Sequence, residues 1–252
     1  MNDYQQKKAF FDKLLTIYGR KPVLEALQQK DLDIYKLHLA SSNKSGGIVD
    51  NILRLAEQRD IPVAYHDKKA LSRISRNGKQ DQGIAADIQV ASHVTLEEFI
   101  AQTSDKKAQR LLALDGVTNP QNLGMIIRSA AAGNIDGLLL PAKGCAALSP
   151  MVIKASAGTL FRAPIIHTDS LPVALTTLRQ KEYQIATLSS HAKQSLFSTV
   201  FTEKMVFVLG NETDGVSEEV ASVCTLSVKI PMNNGVESLN VAVTSALIAF
   251  LQ

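Results

Sequence analysis

The sequence predicts an α/β protein. Its larger, C-terminal part reads as a mostly parallel sheet with helices on both faces, preceded by a smaller α/β domain. Three observations carry this. From Arg110 onward, short apolar extended runs alternate with helical stripes. The first hundred residues show the same alternation in shorter pieces. Between them, Thr103–Gln109 (TSDKKAQ) is polar and has no apolar stripe, so it reads as a linker. The expected organisation is an N-terminal extension (1–16), a first domain (17–102), the linker (103–109) and a second domain (110–252).

The elements follow in order. Phe10, Phe11, Leu14 and Leu15 give Met1–Thr16 a packing face, which reads as a short extra helix. Pro22–Gln29 opens with proline at an expected first helical position. Tyr35–Ala40 alternates as a strand does. Ile48–Arg59 carries a helical stripe at 48, 49, 52, 53, 55 and 56. Ile61–Ala64 and Gly83–Val90 read as extended. Leu96–Gln102 is a helix behind Thr95, with Glu98 at the capping-box position. In the second half the expected strands are Arg110–Leu114, Gly137–Leu140, Gln184–Leu188, Met205–Leu209 and Ser227–Ile230. The expected helices are Gln121–Ala132, Pro150–Ala157, Leu171–Gln180, Ser217–Ala221 and Leu239–Phe250. Gly133 suits a left-handed helix end. The last helix (LNVAVTSALIAF) is apolar nearly all round, so it must be buried on more than one face.

Composition narrows the function classes. The chain has 252 residues, 27 basic and 24 acidic, for a net charge of +3. Hydrophobic residues make up 45% and charged residues 20%, ordinary for a globular protein. No apolar run approaches the roughly 18 residues of a membrane helix. No secretory signal is visible, and Cys145 and Cys224 form no CxxC pair. The expectation is a cytoplasmic protein without membrane or metal. The five histidines show no metal-ligand spacing, and no GxSxG elbow, dinucleotide fingerprint or phosphate loop occurs. Lys68–Lys79 (KKALSRISRNGK) carries five basic residues and no acid. Such a run is ordinarily a solvated helix face and loop, and otherwise a phosphate-contacting patch.

Open α/β sheets bind ligands at the carboxyl ends of their strands, so the loops after strands carry the search. Three are unusual: DGVTNPQNLGMIIR (115–128), LGNETDGV (209–216) and IPMNNGVESLN (230–240). Gly124 inside a first helical turn costs stability relative to Ala, and Arg128 stands in a nearly apolar helix. Arg128 is either a snorkelling surface arginine or a phosphate or carboxylate clamp. Asn122, Asp214, Ser238 and Asn240 taken singly read as helix caps. Glu212 and Asp214 would repel a phosphate, so the second loop suits a neutral or cationic ligand better.

Taken together, Asn122-x-Gly124-x-x-x-Arg128, Gly210-x-Glu212-x-x-Gly215 and Ile230-Pro231-Met232 with Ser238-Leu239-Asn240-Val241, in this order, resemble the signature motifs of the SpoU/TrmH-type RNA ribose methyltransferases of the SPOUT superfamily. Ser149-Pro150 and Lys154-Ala155-Ser156-Ala157-Gly158 also resemble the family pattern. The match covers residues 110–252. Ile17-Tyr18-Gly19-Arg20 through Asp81-Gln82-Gly83-Ile84-Ala85 resembles the family's RNA-binding domain, which has the fold of a small ribosomal protein. The subgroup resembled most is the bacterial enzymes that methylate a guanosine of 23S rRNA.

The resemblance implies a trefoil knot in the second domain, a homodimer, and S-adenosylmethionine as cofactor. It implies that Gly210, Ile230 and Leu239 contact the cofactor, with Thr187, Leu188, Leu209, Pro231 and Met232 lining the same pocket. It implies a catalytic role for Arg128, with Asn122, Glu212, Ser238 and Asn240 as the other polar site residues. An arginine base is chemically awkward, since its pKa exceeds about 12. Stabilising oxyanion charge and positioning the ribose phosphate suits Arg128 better. The resemblance also turns the basic run into an RNA contact through Lys69, Arg73 and Arg76, with Arg20 nearby. rRNA is the first expectation for the substrate and tRNA the second. The competing readings are an RNA-binding ribosome-assembly factor without activity and a nucleotide-dependent α/β enzyme of another type. The complete set of motif residues argues against the one, and the missing phosphate loops against the other.

Overall fold

The computed structural model describes residues 14–30, 32–90 and 93–252. It divides into two compact units: the described part of 1–91 together with Leu148–Lys154, and the described part of 92–147 together with Ala155–Gln252.

The first unit is a four-stranded mixed sheet in the order β1-β4-β2-β3. Its elements are β1 (Leu14–Tyr18), α1 (Arg20–Gln28), β2 (Asp33–Ala40), α2 (Ile48–Gln58), β3 (Val63–His66), α3 (Lys68–Ser75) and β4 (Ile84–Gln89). β4 runs antiparallel to both β1 and β2, and β3 runs parallel to β2. An irregularity between Ile34 and Lys36 shifts the register of β2 against β4. Leu37 and Leu39 on one face of β2 are fully buried, as are Val23, Ala26 and Leu27 of α1 and Val49, Ile52 and Ala56 of α2. α3 packs on the opposite face through Leu71, against Ala40 and Ala85. Asp67 caps it, accepting from Ala70 N at 2.7 Å. The helix expected over Met1–Thr16 fares differently. Its described part, Leu14–Thr16, is extended and pairs with Asp87–Gln89, and the rest lies outside the described residues. Extended pairing satisfies the backbone groups that this segment would otherwise leave open at the sheet edge.

The second unit holds an eight-stranded sheet in the order β10-β12-β9-β11-β6-β7-β8-β5, every described pair parallel. The strands are β5 (His93–Thr95), β6 (Gln109–Leu114), β7 (Gly137–Pro141), β8 (Ile165–Thr168), β9 (Gln184–Leu188), β10 (Gln194–Ser195), β11 (Lys204–Leu209) and β12 (Leu226–Lys229). The helices of this half of the chain are α4 (Leu96–Gln102), α5 (Pro120–Ala132), α6 (Pro150–Ala155), α7 (Leu171–Gln180), α8 (Glu218–Ala221) and α9 (Val241–Ala249). A strand buried on both faces reads as a continuous apolar run, as Leu111–Leu114 and Met205–Leu209 do. Leu111, Ala113, Val206 and Val208 share a core with Leu171, Leu175 and Leu178 of α7 and Val220 of α8. α5 and α9 pack on each other elsewhere in the unit.

Two details depart from the sequence reading. β5 pairs with β8, so 93–102 stand in the second unit and not in the first domain. Thr95 does cap α4 through a capping box with Glu98. Gly133 is not left-handed: its φ is −103°. Glycine is needed there for close approach, because a Cβ would lie 2.5 Å from the carbonyl oxygen of Ala249 in α9. No helix of the described residues is long and apolar enough to cross a membrane.

Candidate active site

The site is built from the loops that leave the carboxyl ends of β6, β9, β11 and β12. In α5 the cap is Asn119, whose side chain accepts from Gln121 N at 2.8 Å and Asn122 N at 3.4 Å. That leaves the Asn122 side chain available, and it is 6% exposed. Its Nδ2 donates to Glu212 Oε1 in the loop after β11. Its Oδ1 accepts from Asn240 Nδ2 at 3.2 Å. Asn240 is also the cap of α9, accepting from Ala242 N at 2.8 Å. One buried amide therefore ties three loops from distant parts of the sequence, and each motif contributes one member.

The loop after β11 has further ties. Asn211 and Gly215 exchange backbone hydrogen bonds of 2.8 and 3.0 Å, closing 211–215 into a tight turn. A Cβ on Gly210 would lie 2.2 Å from the carbonyl carbon of Gly215, so only glycine lets the turn close. The Asn211 side chain donates to Gly116 O at 2.9 Å and accepts from Thr213 N at 2.8 Å. Asp115 accepts from Ser217 N at 2.7 Å. The cap of α8 is Ser217, which accepts from Val220 N, and not Asp214. Asn211 and Asp115 lie inside the motif stretches without a role in the sequence reading, and Asn119, which with Pro120 reads as a turn signal, proves to be the cap. The signal was available, since an Asn beside a turn glycine commonly bonds backbone two residues on.

The positions assigned to the cofactor sit at three adjacent strand ends. Thr187 of β9 pairs with Val208 of β11 and with Ser227 of β12. Thr187, Leu188, Ile230 and Met232 are half-buried, Leu209 is buried, and Pro231 and Leu239 are exposed. The backbone N–H groups of Met232 and Leu239 make no hydrogen bond among the described residues. Partly exposed apolar side chains beside open backbone donors fit the adenine and the methionine carboxylate of S-adenosylmethionine. Glu212 and Asp214 nearby suit a cationic sulfonium.

Arg128 and Ser238 are placed differently. Both are exposed, and neither side chain makes a hydrogen bond or ion pair among the described residues. Arg128 follows Asn122 by six residues, which turns it about 120° round the helix and about 9 Å along it. It falls on an outward stripe of α5 with Gln121, Met125 and Ala132. Glu212 therefore holds the Asn122 amide and not Arg128. Among the described residues no group of three or more His, Cys, Asp or Glu could hold a metal. Burial raises the thiols of Cys145 and Cys224, the latter to about 11 with Asp115 adding, so neither is poised as a nucleophile.

A fold of this kind, with its polar motif residues gathered at the carboxyl ends of a parallel sheet, defines a class, and comparison with known proteins gives it. Residues 109–250 match the SpoU rRNA Methylase family, and residues 16–94 match the RNA 2′-O ribose methyltransferase substrate binding family. The chain belongs to the SpoU rRNA methylase family and is an RNA methyltransferase. The 23S rRNA (guanosine-2′-O-)-methyltransferase RlmB of Neisseria meningitidis is 30% identical over 233 residues, covering 92% of each chain. The enzyme of the same description from Pseudomonas putida is 28% identical over 237 residues, covering 93% of this chain and 94% of its own. The fold is shared with the SpoU methyltransferase AviRb from Streptomyces viridochromogenes, solved in complex with AdoMet: TM-score 0.65 and 19% identity, over 99% of this chain and 92% of that one.

Proposed function

We propose that the protein transfers a methyl group from S-adenosylmethionine to the ribose 2′-hydroxyl of a guanosine in 23S rRNA. The observation that carries this is the union of Asn122, Glu212 and Asn240, one from each motif, at the strand ends where the apolar positions and open backbone donors lie. The choice of 23S rRNA is supported by likeness, over more than nine-tenths of both chains, to enzymes named for that substrate.

The bound cofactor supplies a methyl group already activated by its sulfonium, so the protein has to align the acceptor and lower the cost of its deprotonation. The Asn122–Glu212–Asn240 network holds the three loops in register. Gly210, Ile230 and Leu239, with Thr187, Leu188, Leu209, Pro231 and Met232, bind the cofactor. Arg128 binds the ribose phosphate and stabilises the developing oxyanion, with Ser238 beside the reacting groups. Arg128 points outward in one subunit, and we read it as acting in a site shared with a second copy of the chain. Exposed Met125 on α5, Val243 on α9 and Phe250 directly after α9 supply an apolar surface for that homodimer. On this reading the second domain contains the family's trefoil knot, and the protein works in the cytoplasm.

In the first unit, Lys69, Arg73 and Arg76 are exposed. Arg20 donates to Asn43 Oδ1 at 3.3 Å. We read these four residues as phosphate contacts. A double Arg73→Glu/Arg76→Glu variant should bind RNA more weakly and with a shallower salt dependence; unchanged affinity ends that reading. The substrate is tested by mapping ribose methylation on total RNA from cells with and without the gene. Loss at one 23S guanosine is expected, and loss confined to tRNA would redirect the reading to tRNA.

A further inference from the structure

The first unit contains a hydrogen-bonded chain that methyl transfer does not use. Thr16 Oγ1 donates to Asp87 Oδ1 at 2.6 Å. His38 Nε2 lies 3.0 Å from Asp87 Oδ2, and His38 Nδ1 lies 3.0 Å from His66 Nε2. The members come from β1, β4, β2 and β3, so the chain crosses the whole sheet. His38 is buried, and His66 is half-exposed on the edge strand.

The protons can be placed. Burial would raise the Asp87 carboxyl, but hydrogen bonds from His38 and Thr16 outweigh it and hold the group below its usual range. Asp87 is therefore a carboxylate at neutral pH and can only accept, so His38 Nε2 carries a proton. In a neutral His38 ring Nδ1 is then an acceptor, and it takes the proton of His66 Nε2–H. The His66 ring is held below its ordinary pKa, by burial first, with His38 and Lys36 adding and Asp67 opposing. One nitrogen is left over. His66 Nδ1 carries a lone pair and has no partner among the described residues. When the chain takes up a proton, this nitrogen becomes a donor whichever ring holds the charge.

This lone pair differs chemically from its surroundings. The same face of the sheet carries α3, with Lys69 and Arg73. Lysine and arginine only donate, which suits phosphate. An acceptor reads donors instead. In the shallow groove of an RNA helix the available donors are the ribose 2′-hydroxyl and the guanine exocyclic amine. We propose that His66 Nδ1 accepts a hydrogen bond from one of these RNA groups, with Asp87 and His38 as positioning residues that hold its tautomer. The proposal rests on the reading of the first unit as the RNA-binding part.

The test measures affinity of the full chain and of His66→Phe for three transcripts of 23S rRNA: unmodified, with inosine in place of guanosine, and with 2′-fluoro nucleotides. Near pH 8, His66→Phe should bind the unmodified transcript roughly 3- to 10-fold more weakly, the scale of one hydrogen bond. The ratio of parent to variant cancels changes in RNA folding. It should fall to about one on the inosine transcript if the amine is read, or on the 2′-fluoro transcript if the hydroxyl is read. His66→Gln, which keeps an acceptor, should recover most of the loss. Parent-like binding by His66→Phe, an equal ratio on all three transcripts, or no recovery in His66→Gln overturns the proposal. Arg73→Glu/Arg76→Glu on the unmodified transcript separates the two ideas. If that variant binds like the parent, the RNA-binding reading itself fails. If it binds weakly while His66→Phe does not, only the acceptor is lost.

Discussion

The two sheets handle buried polarity in opposite ways. In the eight-stranded sheet the central strands carry apolar runs, Leu111–Leu114, Leu138–Leu140 and Met205–Leu209, and the polar network of Asn122, Glu212 and Asn240 lies beyond the strand ends. In the four-stranded sheet the polar groups stand within the strands, as Thr16, Asp87, His38 and His66 side by side across it. The cause is coverage. A parallel sheet with helices on both faces has little room for a polar side chain in the middle of a central strand, so most polarity is pushed to the strand ends and loops, where a ligand can meet it. The small mixed sheet keeps one face for its apolar core, and α3 covers the other only in part. Its polar groups survive burial by satisfying each other in a line. One arrangement leaves a site whose loops are tied to each other; the other leaves a single open lone pair at an edge.

The sharpest way to break this contrast is Arg128→Ala. If Arg128 acts on the ribose phosphate, methyl transfer in single-turnover assays should fall by roughly two orders of magnitude or more. Cofactor affinity and fold should be retained, and Arg128→Lys should rescue poorly because a point charge does not replace the planar fork. A rate within a few-fold of the parent would refute the role.

A second test uses pH and concerns the polarity that the large sheet does bury. His93, whose Nε2 lies 3.1 Å from Leu160 O, has its pKa lowered from 6.5 to about 4, by burial first. The unfolded chain binds this proton more readily, so stability is full above about 6.5 and is lost as pH falls toward 4. The loss reaches about 3 kcal/mol at about 1.4 kcal/mol per pKa unit. Denaturant titrations at pH 7.5 and 4.5 should show it in the parent and a smaller loss in His93→Phe, where His167, also held below its ordinary pKa by burial, still contributes.

Asn122→Ala should cost about 1–3 kcal/mol by removing the two hydrogen bonds to Glu212 and Asn240, at about 0.5–1.5 kcal/mol each. The melting temperature falls about 2–4 °C per kcal/mol for a chain of this size. Turnover should fall with it, because three loops lose their common tie. A normal melt with normal turnover would show that the network is incidental. Gly133→Ala should cost a similar amount of stability, about 1–3 kcal/mol from overpacking against Ala249, but has the smaller effect on turnover per folded molecule. Thermal denaturation beside active-site titration separates the two.

Much of this was legible in the residues themselves. Gln184–Leu188 and Leu171–Gln180 appear with the bounds their patterns predict, because period-2 and period-3.6 apolar spacing follows directly from which face must be buried. Thr95 and Glu98 specify their capping box locally. The ordered motifs named the family because each keeps its glycines and polar residues at fixed local spacing. What the sequence could not contain is which of two satisfactory roles a residue takes. Asn122 and Asn240 both read as caps; one caps and also bridges, and the other leaves capping to Asn119, because a partner 90 or 118 residues away is within reach only after folding. Gly133 read as a left-handed helix end and is instead a contact against Ala249. Leu14–Thr16 read as helical and is a strand, since its pairing with β4 outweighs local pattern. His38, His66 and Asp87 lie far apart along the chain, and only the register of β2, β3 and β4 sets their rings and carboxylate in line. Local spacing carries turns, caps and amphipathic faces. Hydrogen bonds between distant residues are decided by packing, which alone determines who is close enough to donate and who is left to accept.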